Sequence, residues 1–297
     1  MKRPLKIAAI ALTTAIVLIT GYGVLIEPRF ILDERHHTMT MPGLGPEHEG
    51  TTIAVIADLQ VGMWWANTGM VERAVRELVD EDPDAVLLGG DFLYSSDPSI
   101  AVQADAVLDL LSPLLDSGIP TFAVMGNHDY KVGGAERMTT ALEERGVDVL
   151  LNEAAPLPGK EDLGPAQQFY VVGVGPKVPG QADAELALEG VPENAPRMVL
   201  MHNPTTFRSL PAGSAPLAVA GHTHCGQIAI PGLTQWSYLD LTAEEKIVAD
   251  GFAPHDYGAA GNQLFVTCGI GFSVVPMRIN AAPQIAFFEF VADRGTS

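Results

Sequence analysis

Basic residues are scarce in this 297-residue chain: 17 Lys and Arg stand against 36 Asp and Glu, a formal charge of −19. Beyond Lys2, Arg3 and Lys6 they form no cluster. A surface that coats a phosphate backbone needs a basic stripe, so no nucleic-acid partner is expected. An anionic substrate remains admissible where bound cations reverse the local field. Cysteine is nearly absent. Cys225 and Cys268 are too few for a disulfide-stapled scaffold or a four-thiolate zinc site. They read as one bridge if the domain lies outside the cytoplasm, or as two separate buried thiols, the reading favoured here. Internal repeats and low-complexity blocks are also missing, which excludes solenoids and disordered chains.

Charge is absent altogether from Ile7 to Ile26. A run of about twenty apolar residues spans roughly 30 Å as a helix, the thickness of a bilayer's hydrocarbon. No small-x-small cleavage site follows it, so an uncleaved anchor is expected over a signal peptide. Basic residues before the run exceed Arg29 and Arg35 after it, which puts residues 1–6 in the cytoplasm and the rest outside. The expected location is therefore the inner or plasma membrane, single-pass, with an extracytoplasmic catalytic domain. Residues 27–50 lack usable periodicity and read as a linker. His36, His37, Met39 and Met41 within it suit a solvated tether more than a soft-metal site.

From Thr51 the pattern alternates. Thr52 to Ala57, Ala85 to Leu88, Thr121 to Met125 and Val147 to Leu151 read as strands, separated by helical spacing at Gly69 to Asp80, Ala101 to Leu115 and Ala135 to Arg145. Five later runs, Phe169 to Val174, Met198 to Met201, Leu217 to Ala220, Gln263 to Thr267 and Ile285 to Val291, are strands with few helices between them. Strands apolar on both faces need cover on both sides. The expected fold is α/β, a four-layer α/β/β/α sandwich of two mixed sheets flanked by helices, filling 51–291 and followed by a tail at 292–297.

Polar residues gather where strands end: Asp58-Leu59-Gln60, Gly89-Gly90-Asp91, Gly126-Asn127-His128-Asp129, His202-Asn203-Pro204 and Gly221-His222-Thr223-His224. Strand ends on one edge of an α/β sheet are where ligands bind. Carboxylate, amide and imidazole together suit borderline-hard divalent ions such as manganese, iron or zinc. Asp129 is expected to cap the helix that follows.

These five blocks, in this order, resemble the calcineurin-like metallophosphoesterase family, whose pattern is D-x-H, GD, GNH[DE], H and GHxH. With Gly269-Ile270-Gly271 and Pro276-Met277-Arg278 the chain is similar to its small membrane-associated bacterial branch of phosphodiesterase-like proteins and a UDP-2,3-diacylglucosamine diphosphatase. The resemblance implies two divalent metals, manganese favoured. Asp58, Gln60, Asp91 and His224 would hold the first, and Asp91, Asn127, His202 and His222 the second. It implies attack by a metal-bridging hydroxide on a phosphodiester or diphosphate, with His128 protonating the leaving oxygen or stabilising the transition state. Substrates would be small phosphoesters or lipid-linked diphosphates. A UDP-2,3-diacylglucosamine diphosphatase would have to face the cytosol, where such substrates are made.

Two positions depart from the pattern. Gln60 stands where most of the family has His, and Tyr94 where phosphatases often have an Asp that pairs with the catalytic His. Asp97 is the candidate replacement partner of His128. These departures motivate a competing reading, a metal-binding scaffold without catalysis. Trp64, Trp65, Trp236 and Tyr238 read as loop residues packed on the body, with a role at a substrate or membrane as the alternative.

Overall fold

A computed structural model describes residues 2–160, 162–230 and 236–293. Met1 of the basic segment and 294–297 of the tail lie outside the described residues. The strands are β1 (Asp33–Met41), β2 (Thr52–Ile56), β3 (Ala85–Leu88), β4 (Thr121–Ala123), β5 (Asp148–Val149), β6 (Glu153–Pro156), β7 (Tyr170–Val174), β8 (Arg197–Met201), β9 (Leu217–Ala220), β10 (Gly251–Phe252), β11 (Leu264–Val266) and β12 (Gln284–Ala292). Two six-stranded sheets result, ordered β1-β12-β2-β3-β4-β5 and β10-β11-β9-β8-β7-β6. Both are mixed. The first runs parallel from β2 to β5, with β12 antiparallel to β2, and the second runs parallel through β7, β8, β9 and β11.

Side chains alternate between faces along a strand, so each strand serves two cores. Ile53, Val55, Leu87 and Phe122 of the first sheet meet Val171, Leu200, Val219 and Phe265 of the second in one buried cluster. Their neighbours Ala54, Ile56, Val86, Leu88 and Ala123 face the other way. The helices are α1 (Lys2–Gly21), α2 (Glu27–Phe30), α3 (Thr68–Glu81), α4 (Ile100–Leu115), α5 (Asn127–Lys131), α6 (Ala135–Glu143) and α7 (Ala184–Ala187). The apolar stripe of α3, Met70, Val71, Ala74, Val75 and Leu78, covers that second face with Val107 and Leu111 of α4. Ser99 caps α4 by accepting from the Val102 amide at 3.3 Å. The expected four-layer arrangement is the one observed.

α1 continues through a π-helical turn at Tyr22–Ile26 into α2. Arg3–Phe30 is a helix long and apolar enough to cross a membrane. It does not hand over to a linker. The Gly23 carbonyl accepts from the Arg278 amide at 2.8 Å, and the buried Glu27 carboxylate accepts from the amides of Asn280 and Ala281 at 3.0 and 2.7 Å. β1 then pairs with β12 over nine residues. The linker expected over 27–50 is therefore corrected: the folded unit begins before Thr51. The strand escaped notice because it is an edge, and only alternate residues are partly covered, among them Arg35 and His37 rather than aliphatics. His36 stacks on Phe287 and His37 lies against Phe265 and Phe288, so neither is part of a solvated tether.

Cys225 and Cys268 form a disulfide, not the two separate thiols favoured from sequence. Residues 43 apart become neighbours because β9 and β11 are adjacent parallel strands whose following loops converge. Closing a loop of this length is worth about 4 kcal/mol in the chain-entropy account. Reduction in a reductant-titrated thermal melt should therefore lower Tm by several degrees, and the Cys225→Ala/Cys268→Ala variant should melt at the same temperature with or without reductant.

Candidate metal centre

Each block singled out in the sequence sits at the C-terminal end of a parallel strand: Asp58 and Gln60 after β2, Asp91 after β3, Asn127 and His128 after β4, His202 after β8, His222 and His224 after β9. The backbone there is unusual. Asp58, Gln60, Asp91, His222 and His224 all have φ between +48° and +74°. Left-handed backbone costs a non-glycine residue roughly 1–3 kcal/mol and gathers where geometry serves function. Gly126 is required by close approach, since a Cβ there would overlap Asp91 Oδ1. Gly269, at φ +63°, would likewise place a Cβ 2.6 Å from Asp58 Oδ2.

The side chains fall into two groups that share Asp91. In the first, Gln60 Nε2 donates to Asp91 Oδ2 at 2.9 Å and lies 3.5 Å from His224 Nε2, which is 3.6 Å from Asp58 Oδ1. In the second, His202 Nε2 is 3.4 Å from Asp91 Oδ2 and 3.0 Å from Asn127 Oδ1, and the His222 ring lies 5.2 Å from that of His202. Ligand atoms about 2.1 Å from one cation are separated by roughly 3.0–3.4 Å, the edge of a tetrahedron or octahedron. The 3.0 and 3.4 Å from His202 Nε2 to Asn127 Oδ1 and Asp91 Oδ2 fall in that range. Asp58, Asp91 and His202 together offer one ligand atom each within 4.8 Å of one another, and Gln60 Oε1 is a buried acceptor with no partner among the described residues. The donor set fits divalent cations.

Supporting residues hold these groups in place. Asp58 accepts from the His222 amide at 3.0 Å, and His202 Nδ1 meets the Gly89 carbonyl at 2.8 Å, which leaves Nε2 for the cluster. His222 Nε2 is taken up by Glu245 Oε1 at 3.0 Å, leaving Nδ1. That hydrogen bond holds the Glu245 carboxyl down to about 2. Burial, opposed by His202 and reinforced by the charge of Asp91, pushes Asp58 up to about 6. Asp91 is buried too, but the charge and hydrogen bond of His202 outweigh that and hold it below the ordinary carboxylate range. His202 is the counterpart: burial would lower it, and Asp91 lifts it to about 9. Burial and then the Arg278 guanidinium, 3.3 Å from Nδ1, hold His224 well below the imidazole range.

The family model for calcineurin-like phosphoesterases matches residues 51–226. The chain belongs to that family. Phosphodiesterase YaeI of Escherichia coli strain K12 is 30% identical over 249 residues, 80% of this chain and 82% of that one. A Bos taurus transmembrane protein with a metallophosphoesterase domain is 25% identical over 301 residues, 96% of this chain and 62% of the relative's own length. A dimetal phosphatase from Danio rerio superposes with a TM-score of 0.47 at 13% identity, over 82% of this chain and 94% of that one. The protein is thus a metal-dependent phosphoesterase.

In this phosphoesterase, the backbone amide of His128 donates to Asp91 Oδ1 at 2.7 Å, and its ring stacks on Tyr94 at 5.0 Å and 17°. Its buried Nδ1 has no partner among the described residues. Asp97, expected as a substitute partner, is exposed, with its amide turned to Ser95 Oγ and its carbonyl to Gln103. Tyr94 therefore does not replace the family's Asp in kind. It fixes the plane of the ring in place of a charge. Asp129 does more than cap: Oδ2 accepts from the Gly126 amide at 2.8 Å and Oδ1 from the Leu93 amide at 2.9 Å, tying the third block to the second.

Sequence reading missed Glu245 and the role of Arg278. Glu245 lies in a stretch without periodicity, where nothing marks one acid among several. Arg278 is fully buried, donating to the carbonyls of Gly271, Cys268 and Ala281 at 2.8–3.0 Å, and its signal was the unexplained basic residue in an apolar closing segment. Trp64, Trp65, Trp236 and Tyr238, expected to pack on the body, are instead exposed.

Proposed function

We propose that the protein is a membrane-anchored phosphodiesterase or diphosphatase whose domain lies outside the cytoplasm. Asp58, Gln60, Asp91 and His224 hold one divalent cation, and Asp91, Asn127, His202 and His222 hold a second. The position of Asp91 between the two groups, its Oδ2 reached by both Gln60 and His202, carries this reading. The cations, when bound, neutralise phosphoryl oxygens and supply hydroxide at neutral pH. An amide oxygen from Gln60 in place of imidazole favours manganese over zinc.

The chain's own part is positioning and proton transfer. His128 is pinned through its amide to Asp91 and through its ring to Tyr94, beside the shared carboxylate. From there it can donate a hydrogen bond to phosphate or a proton to the departing oxygen. Burial, opposed by the charge of Asp91 and helped by Lys131 and the neighbouring imidazoles, holds it below its ordinary range. No thiolate nucleophile is available at this edge, because Cys225 is bridged. The disulfide supports an oxidising compartment and so an outward-facing domain. The apolar helix and the transmembrane relative support the anchor.

Metal analysis combined with turnover of bis-nitrophenyl phosphate after manganese loading tests the reading. Two metals per chain are expected, with faster turnover of the diester than of mononitrophenyl phosphate. Two bound metals without turnover would turn the reading to a non-catalytic scaffold.

A further inference from the structure

An unbroken series of contacts runs from the apolar helix to the catalytic imidazole. Arg29 donates to the carbonyls of Ala66 and Trp65 at 3.0 and 2.9 Å and to Asn67 Oδ1 at 3.1 Å, with its guanidinium 4.9 Å from the Trp65 ring. Asn67 Nδ2 returns a hydrogen bond to the Pro28 carbonyl at 2.9 Å. Trp64 Nε1 then donates to the Val274 carbonyl at 3.3 Å, and the Val274 amide donates to Tyr94 Oη at 3.2 Å. Tyr94 stacks on His128. The rim of the site is thus fastened to the end of the helix.

The side chains along this rim point the wrong way for a domain surrounded by water. Phe30, Trp64, Trp65 and Val274 are 68%, 62%, 54% and 52% exposed. Val274 is a β-branched residue at φ +67°, a backbone conformation with a steric cost, held there by the two hydrogen bonds of its own peptide groups. Four apolar residues and Arg29 lie on one edge, and Arg73 joins them by donating to the Phe30 carbonyl at 2.9 Å. Tryptophan with arginine is the composition of an interfacial belt, where an amphipathic ring sits at headgroup level.

The level of this rim can be fixed. The hydrocarbon core is about 30 Å thick and each headgroup layer roughly 5–7 Å more. The helix meets the folded domain at Gly23, whose carbonyl takes the Arg278 amide, so the hydrocarbon ends near there and Arg29, six residues on, lies about 9 Å beyond it along the helix. The exposed indoles of the loop it holds reach back from there toward the headgroup layer. We propose that Phe30, Trp64, Trp65 and Val274 form a seat in the same leaflet the helix leaves through, so that the metal centre opens at the lipid surface onto phosphoesters carried there. The inference rests on the anchoring reading above.

The test uses the full chain. Trp64, Trp65 and Trp236 are its three tryptophans, so Trp236→Phe leaves emission from the rim pair alone. The variant is reconstituted into phosphatidylcholine vesicles whose acyl chains are brominated either near the glycerol or near the methyl end. The expected result is flotation with the vesicles after alkaline carbonate, and quenching that is stronger for the shallow bromines. Flotation with emission untouched by bromine and open to iodide would overturn the seat while leaving the anchor standing. Loss from the vesicles on carbonate washing would overturn the anchor and the seat with it. Shielding from iodide in native membranes only, and not in pure lipid, would overturn the seat in favour of a protein partner. In a second arm, Trp64→Ala/Trp65→Ala should lower kcat/KM for a vesicle-borne phosphodiester roughly tenfold more than for bis-nitrophenyl phosphate, with metal content as the folding control. Equal losses on both would overturn the proposal.

Discussion

Asp91→Asn should leave a folded protein that retains neither cation through gel filtration and turns over phosphodiesters on the order of 10⁴-fold more slowly, because hydroxide generation and charge neutralisation disappear together. Asparagine is the informative substitution. The residue sits at φ +54°, which Asn tolerates and Ala does not, so strain is kept out of the comparison. Asp91 carries one Oδ2 that reaches both Gln60 at 2.9 Å and His202 at 3.4 Å, and one Oδ1 that takes the His128 amide at 2.7 Å. Replacing one oxygen by an amide nitrogen leaves the shape but removes the charge that both groups share. Metal stoichiometry and single-turnover rates read the result. Two metals retained at wild-type turnover would remove Asp91 from the centre of the site.

His128→Ala separates from this cleanly. Its link to Asp91 is made by the backbone amide, which alanine keeps, so the metal count should stay near two. Turnover should fall by about 10²–10⁴-fold, the usual contribution of a positioned proton donor. The loss should be smaller for a substrate whose leaving group needs no proton, such as nitrophenolate, than for an alkyl phosphodiester. An equal loss on both would assign the ring to phosphate binding instead. Loss of metal would mean that it supports the ligands.

The legible parts of this molecule were those encoded in short range. Each candidate ligand lies within four residues of a buried strand's end, so the apolar run and the polar break that follows it singled out Asp58, Asp91, Asn127, His202 and His224, and the family resemblance supplied their roles. Apolar residues on both faces of Ile53 to Ile56 and Ala85 to Leu88 similarly required two covered faces. What escaped depends on partners distant in the chain. Glu245 meets His222 across a stretch without pattern, Arg278 reaches back to both Gly23 and His224, and Cys225 finds Cys268 only because β9 and β11 are neighbours. Exposure of Trp64 and Trp65 was equally invisible, since an indole in a loop has the same letters whether it packs on protein or faces outward. β1 was lost for another reason, three of its five inward positions being Asp33, Arg35 and His37 where a core strand would have valine.

The order of the first sheet has a consequence for how the protein is made. β12, the last strand of the chain, lies between β1 and β2, the first two. Until Gln284–Ala292 has left the ribosome, β1 has no partner and β2 has an open edge. Cys268 and Arg278, which brace the metal-facing loops, also come late. Those braces are therefore missing until the last part of the chain is made. If the domain completes folding on the far side of the membrane, its cations are chosen from the ions present there, and the metal content of the growth medium, more than that of the cytosol, should set which metal the purified enzyme carries.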